Sequence, residues 1–170
     1  MLAELLIRPE QAADIAAIEQ VVRAAFLTEI YSNQNEYLLV NALRKAQALT
    51  IALVAEYQQQ IIGYIAFSKV TIDEEDHGWY GLAPLAVDPS WQNQGVGSAL
   101  VNAGLNALIT LDAAGCVVLG DPYYYGRFGF QASPHLSLAD VPAAYFLGLK
   151  FKEHAVLGAV EYHASFAIFA

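Results

Sequence analysis

The sequence predicts an α/β layer domain built around a mixed sheet. Strand-like runs separated by short polar turns follow one another between residues 50 and 87, as in hairpins, and from residue 79 a strand, a helix and a second strand succeed one another, the helix acting as a crossover. The third observation is quantity: 56% of 170 residues are hydrophobic and 15% charged, ample apolar side chain for one core. No repeat, linker or low-complexity tract interrupts the chain, so 1–170 are read as a single domain. Residues 131–170 are the part that the pattern defines least.

Each element has its own signal. Leu5-Leu6-Ile7 reads as a short strand ended by Pro9, and Asp14-Ile15 opens a helical pattern in which Ile15, Ile18, Val22 and Phe26 recur every three to four residues. Asn33 or Asn35 caps a second helix whose Leu39, Val40 and Leu43 face inward. Thr50 to Glu56 is a strand, and Gln58-Gln59-Gln60 turns it into a second strand from Ile61 to Ile72. The acidic stretch Asp73 to His77 makes another turn before a strand from Trp79 to Val87.

Asp88-Pro89 stops that strand and Gln92 to Gly97 forms a loop. From Ser98 a helix presents Leu100, Val101, Leu105, Leu108 and Ile109 on one face until Gly115 ends it. Cys116 to Leu119 is a buried-type strand, followed by an aromatic turn from Pro122 to Phe130 and a proline-punctuated region to about Gly158. Val160 to Phe169 alternates as a closing strand.

Composition removes several function classes. No apolar run approaches the roughly 20 residues of a membrane span, and Glu4 stands where a basic leader would begin, so neither membrane insertion nor export is expected. Cys116 is the single cysteine, which rules out an internal disulfide and points to the cytoplasm. A clustered-thiolate metal site has no ligands, and His135, His154 and His163 lack metal-ligand spacing, so no metal is expected. A formal charge of −9 repels nucleic-acid phosphates and favours cationic small molecules or peptides.

The most informative segment is Gln92-Asn93-Gln94-Gly95-Val96-Gly97-Ser98. It joins an apolar strand to a helix, so its backbone N–H groups and the unpaired donors of the first helical turn can converge on an anion. Gly95 and Gly97 would permit close approach of a pyrophosphate, and Ser98 could add a hydroxyl. Two glycines also make an ordinary turn, and the pair alone does not decide between these readings. A dinucleotide fingerprint would want glycine where Leu100 stands, and a Walker loop would want lysine where Ser98 stands.

With its flanks the segment is more specific. Leu85-Ala86-Val87-Asp88-Pro89-Ser90-Trp91-Gln92-Asn93-Gln94-Gly95-Val96-Gly97-Ser98-Ala99-Leu100 resembles the signature of the GNAT superfamily of N-acetyltransferases, Gln/Arg-x-x-Gly-x-Gly/Ala. Downstream, Tyr124-Tyr125-Gly126-Arg127-Phe128-Gly129-Phe130 is similar to the second landmark of the family, an aromatic and a tyrosine followed four residues later by Gly-Phe. The stretch Leu119 to Phe130 resembles a subgroup of acetyltransferases whose substrates are mostly unassigned. The likeness runs from about Leu5 to Phe130 and thins beyond.

The resemblance implies a mostly antiparallel sheet whose fourth and fifth strands splay apart, helices on both faces, and acetyl-CoA as the donor. It implies that backbone groups of Leu85, Ala86 and Val87 lie along the pantetheine arm, and that the amides of Gln92, Asn93, Gln94, Gly95, Val96, Gly97 and Ser98 hold the pyrophosphate. An N–H near Val87 would polarise the thioester carbonyl. Tyr125 matches the general-acid position, while as a residue it could equally be a packed aromatic beside Tyr123, Tyr124 and Phe128. The acceptor would be an amine, cationic at neutral pH, and must shed a proton before it attacks.

The base is not identified. Gly81-Leu82-Ala83-Pro84-Leu85 carries no carboxylate where many family members have one, and Glu74, Glu75, Asp76 and His77 are nearby candidates whose ordinary role is a solvated turn. That gap leaves open a non-catalytic acyl-CoA binding or sensing domain. Cys116 reads as a small buried thiol, and Arg127 could meet a donor phosphate or cover an apolar face. Apolar residues from Tyr145 to Phe169 can support a homodimer contact.

Overall fold

The computed structural model describes residues 2–154 and 156–169. Strand β1 (Leu6–Pro9) leads through a 3-10 turn at Ala12–Asp14 into helix α1 (Ile15–Phe26), and α2 (Glu36–Lys45) follows. Then come β2 (Ile51–Tyr57), β3 (Gln60–Lys69), β4 (Thr71–Ile72) and β5 (Trp79–Val87). Helix α3 (Val96–Thr110) crosses to β6 (Gly115–Leu119), and a single turn, α4 (Pro122–Tyr125), precedes β7 (Gln131–Ala132) and β8 (Leu136–Ser137). Strands β9 (Phe146–Lys150) and β10 (Gly158–Glu161) and a 3-10 segment at Ala164–Phe169 complete the order.

The main sheet has the order β1-β2-β3-β5-β6-β9-β7, and β4, β10 and β8 form a small second sheet. Among the described residues of the main sheet only β5 and β6 are parallel neighbours, as a helical crossover requires. Gln58 and Gln59 take φ of 49° and 64° to close the β2–β3 hairpin, the left-handed pair that matches strand twist. Period-two alternation then sends side chains to two faces. Phe67, Leu100, Leu108, Cys116, Val118 and Phe130 pack on the α3 side. Ile18, Val22, Val40, Tyr64, Ala66 and Ala86 pack beneath α1 and α2.

Polar clamps fix α1 and α2 to the outer strands. Arg8 spans Asp14 (2.8 Å) and Glu56 (2.7 Å), and Glu10 accepts from Arg44 (2.8 Å) and from the Tyr64 hydroxyl (2.7 Å). Hydrogen bonding to Arg8 holds the Asp14 carboxyl below the usual range.

Several boundaries differ from the sequence reading. Helix α3 begins at Val96 instead of Ser98 and stops at Thr110, because Asp112 turns at φ 63°; Gly115 therefore opens β6 instead of ending the helix. Ile109 and Leu119 are exposed. The strand read from Ile61 to Ile72 is two, broken at Val70, whose amide bonds Trp79 while the next residues join β10. The closing strand ends at Glu161. Its apolar alternation continues in Tyr162, Phe166 and Ile168, but the stretch from Ala164 coils into the 3-10 segment, which packs on α2. Of the apolar tail, Phe146, Leu147 and Val160 are buried within the chain, and Tyr145, Leu157 and Phe169 are exposed.

Candidate active site

Strands β5 and β6 pair at Trp79↔Gly115, Tyr80↔Cys116 and Gly81↔Val117 and then part, while β5 stays on β3 as far as Val87. The separation follows an extra residue in β5: Ile65↔Leu85 and Phe67↔Leu82 leave Ala83 and Pro84 opposite Ala66 alone. Such a bulge bends the strand, and proline, with no N–H to offer, is at home there.

Past the bulge the ladder dictates which groups face the gap. Asp88 donates to the Ile62 carbonyl at 2.9 Å, so in alternation Ala86 bonds Tyr64, and Leu85 and Val87 turn their N–H and C=O groups away from β3. Of the three residues expected along a donor, Leu85 and Val87 thus present backbone to the gap. Ala86 has its backbone on β3 and its side chain in the core under α1. The Gln92 side-chain amide donates to the Val87 carbonyl at 3.1 Å, which leaves the Val87 N–H.

The turn after β5 is built for bared amides. Asp88 Oδ1 accepts from Ser90 (2.8 Å), Gln94 Nε2 donates to the Ser90 carbonyl (3.3 Å), and Asn93 turns at φ 61°. Gly95 caps α3 at φ 87°, where a side chain would meet no neighbour; glycine is required there by the backbone alone. The first amide of this end with a backbone acceptor is that of Ala99, bonded to Gly95 at 3.0 Å. Val96, Gly97 and Ser98 therefore carry the unpaired donors at the positive end of a helix of 15 residues.

The aromatic turn covers this end. Asp121 caps it by accepting from the Tyr123 amide at 2.9 Å, with Pro122 in the first position. Tyr124 places its hydroxyl 2.6 Å from where a Gly97 side chain would begin, beside Ser98, and burial raises its pKa. Tyr125 lies against Gly120, Tyr124 and Phe130; burial pushes its phenol well above 10. Arg127 stacks on Tyr124 at 4.5 Å and donates to its carbonyl at 3.2 Å, so its charge sits near the start of α3.

Other residues singled out by sequence lie elsewhere. Asp76 pairs with Lys69 (2.7 Å) and accepts from Gly78 (2.9 Å), and Glu75 lies 3.7 Å from His77, all in the exposed turn ahead of the zipped end of β5. Cys116 is fully buried, its pKa raised by desolvation, unsuited to act as a nucleophile. Among the described residues no group of three or more His, Cys, Asp or Glu is placed to hold a metal, and no helix is long and apolar enough to cross a membrane. Two surface clefts, one along Arg8, Asp14 and Glu56 and one along Glu10 and Arg44, are lined by already paired ions.

Three residues at or beside the gap escaped the sequence reading: Tyr124, Ser68 and Tyr162. Tyr124 stands next to the motif tyrosine and could have been found from helical geometry. Ser68 and Tyr162 have no local signal, because only sheet register brings them to Gly81.

Comparison with known proteins agrees with this geometry. Residues 48–132 match the Acetyltransferase (GNAT) domain model. The Escherichia coli (strain K12) protein named Uncharacterized N-acetyltransferase YhbS is 38% identical over 169 residues, covering 95% of this chain and 98% of that one. The crystal structure of YhbS from Escherichia coli in complex with CoA superposes with a TM-score of 0.91 at 36% identity, covering 100% of this chain and 96% of that one. A GNAT family acetyltransferase from Brucella melitensis in complex with acetyl-CoA gives 0.86 at 46% identity, covering 96% and 98%. With the parted strands, the bared helix end and the matching domain all in one chain, this protein belongs to the GNAT family of acetyltransferases.

Proposed function

We propose that the chain, as one domain over 1–170, moves an acetyl group from acetyl-CoA directly to a primary amine of a small molecule, peptide or protein. The observation that carries this is the adjacency of two sets of unpaired backbone donors, those of Val96 to Ser98 and those of Leu85 and Val87. The first set suits a diphosphate and the second an extended amide chain, which is the chemistry of coenzyme A. Gly97 lets the Tyr124 hydroxyl close over this helix end, since that hydroxyl occupies the space a Cβ would take. Relatives of this fold crystallised with CoA and with acetyl-CoA support it.

In the reaction the amine nitrogen attacks the thioester carbon, the C–S bond breaks, and the proton lost by nitrogen ends on the sulfur. The Val87 N–H donates to the carbonyl oxygen as charge builds there. Tyr125 hands its proton to the departing thiolate and is restored by the proton the amine releases. A phenol held above its ordinary value stays protonated and is costly to leave ionised, so the two transfers are coupled. The acidic surface concentrates cationic amines, which deprotonate before entry. The lone reduced thiol at Cys116 suits the cytoplasm.

The second reading is a non-catalytic acyl-CoA binding domain, favoured by the lack of any carboxylate on β5. Calorimetry with CoA followed by thiol release across an amine panel separates the two. Tight binding with release on at least one amine supports transfer, and binding without release on any supports the second.

A further inference from the structure

Donor binding accounts for one face of the sheet where β5 and β6 part, and the opposite face carries a feature of its own. Leu82 packs toward α3, so Gly81 faces the other way. There the ring of Tyr162 lies across the glycine: a Cβ on Gly81 would sit 3.0 Å from Tyr162 Cδ1, closer still to Cε1, and 3.1 Å from Val70 Cγ1. Gly81 is also the last residue of β5 paired with β6. A side chain at this position would expel the ring from the point of divergence.

Ser68 is the cross-strand partner of Gly81 and points to the same face. It is fully buried and its Oγ has no hydrogen-bond partner among the described residues. A buried hydroxyl without a partner is uncommon and calls for a partner that the described residues do not supply. Burial raises the pKa of the Tyr162 phenol, so it stays a neutral hydroxyl. Its ring is braced by Phe166 at 4.8 Å, at the start of the aromatic run that packs on α2. Tyr125 thus approaches the divergence from the α3 side and Tyr162 from the other.

We propose that Tyr162 is the acceptor-side positioning residue, its phenol oxygen accepting an N–H of the incoming neutral amine so that the nitrogen lone pair faces the thioester carbon, with the Ser68 hydroxyl as a second polar contact. Val70, Tyr162 and Phe166 add apolar surface and no carboxylate, which suits an amine carried on an apolar or aromatic body. The assignment rests on the acetyl-transfer reading above.

Two variants test it. In a Cys116→Ala background, Tyr162→Cys is exposed to the symmetrical disulfide of CoA; the thiolate introduced by the substitution attacks one sulfur, forms a mixed disulfide and releases CoA thiolate. Labelling at least tenfold faster than for exposed Tyr123→Cys is expected, because the donor sulfur would lie beside position 162. Labelling no faster than the control, with CoA binding intact by calorimetry, overturns the proposal and leaves the donor reading standing. Failure of the wild-type chain to bind CoA overturns both.

Tyr162→Phe keeps the ring and removes the hydroxyl. With 2-phenylethylamine or hydroxylamine as probe acceptor, its kcat/KM should fall at least tenfold while the KM for acetyl-CoA stays within about twofold. Unchanged kcat/KM overturns the role of the hydroxyl even if Tyr162→Cys fails to fold.

Discussion

Tyr123, Tyr124 and Tyr125 share one helical turn, so successive side chains leave it about 100° apart and meet three environments. Tyr123 is 90% exposed, Tyr124 reaches Gly97, and Tyr125 is wedged against Gly120 and Phe130. The sequence motif gives Tyr125 a role and its neighbours only an aromatic place beside it, although the turn geometry alone separates them. Tyr125→Phe should lower kcat by about 10²-fold or more, the range of general acid catalysis, with the calorimetric Kd for CoA unchanged. The pH dependence follows from the sign of the shift. A phenol raised above 10 remains the protonated form throughout the working range, so activity should climb from pH 7 to 9 as the amine deprotonates, with no descending limb from Tyr125 in a steady-state profile. Ser68→Ala removes a buried unpartnered hydroxyl, and a urea titration should find it more stable by roughly 1 kcal/mol even as acetyl transfer falls.

Among elements, β5 and α3 were the most legible, because a period-two run stopped by Asp88-Pro89 and a period-3.6 run opened by glycine are both strong local patterns. What local pattern could not supply was pairing. The register Val160↔Ile72 and Glu161↔Thr71 brings the residue after β10 level with Val70 and so onto Gly81, a meeting of segments some eighty residues apart that no window of sequence contains. The tail misled for a related reason: Tyr162, Phe166 and Ile168 alternate like a strand, yet the backbone from Ala164 closes on itself in a 3-10 segment. Gly95→Ala tests the cap of α3. With φ at 87° the variant carries about 1–2 kcal/mol of strain, and CoA affinity by calorimetry should drop at least tenfold as the amides tilt. The clamp of β1 on α1 gives an acid-sensitive counterpart. The Asp14 carboxyl sits below its ordinary value of 3.8, so its contribution is full above about pH 4 and disappears as pH falls through the lowered value. Asp14→Asn should then lose about 1–3 kcal/mol in urea at pH 7, and the loss should shrink as pH falls below about 4.

At the scale of the molecule, charge and topology act together. A net charge of −9 repels an anionic donor and draws in cationic amines, and both effects fade as salt shortens the Debye length. Raising ionic strength from 20 to 200 mM should therefore increase KM for a polyamine acceptor, leave KM for a neutral amine unchanged, and speed CoA association in stopped flow.

The sheet itself is nearly two sheets. On one side stand β1, β2, β3 and β5 and on the other β6, β9 and β7, laced together by the short pairing from Trp79 to Gly81 and by the helix that arches between them. A coenzyme lying along Leu85 and Val87 would serve as a surrogate rung between halves that share only three residue pairs there. Amide hydrogens at those two residues should then exchange with deuterium quickly in the free protein and slowly in the liganded one, and the molecule would be stiffest in the state in which it reacts.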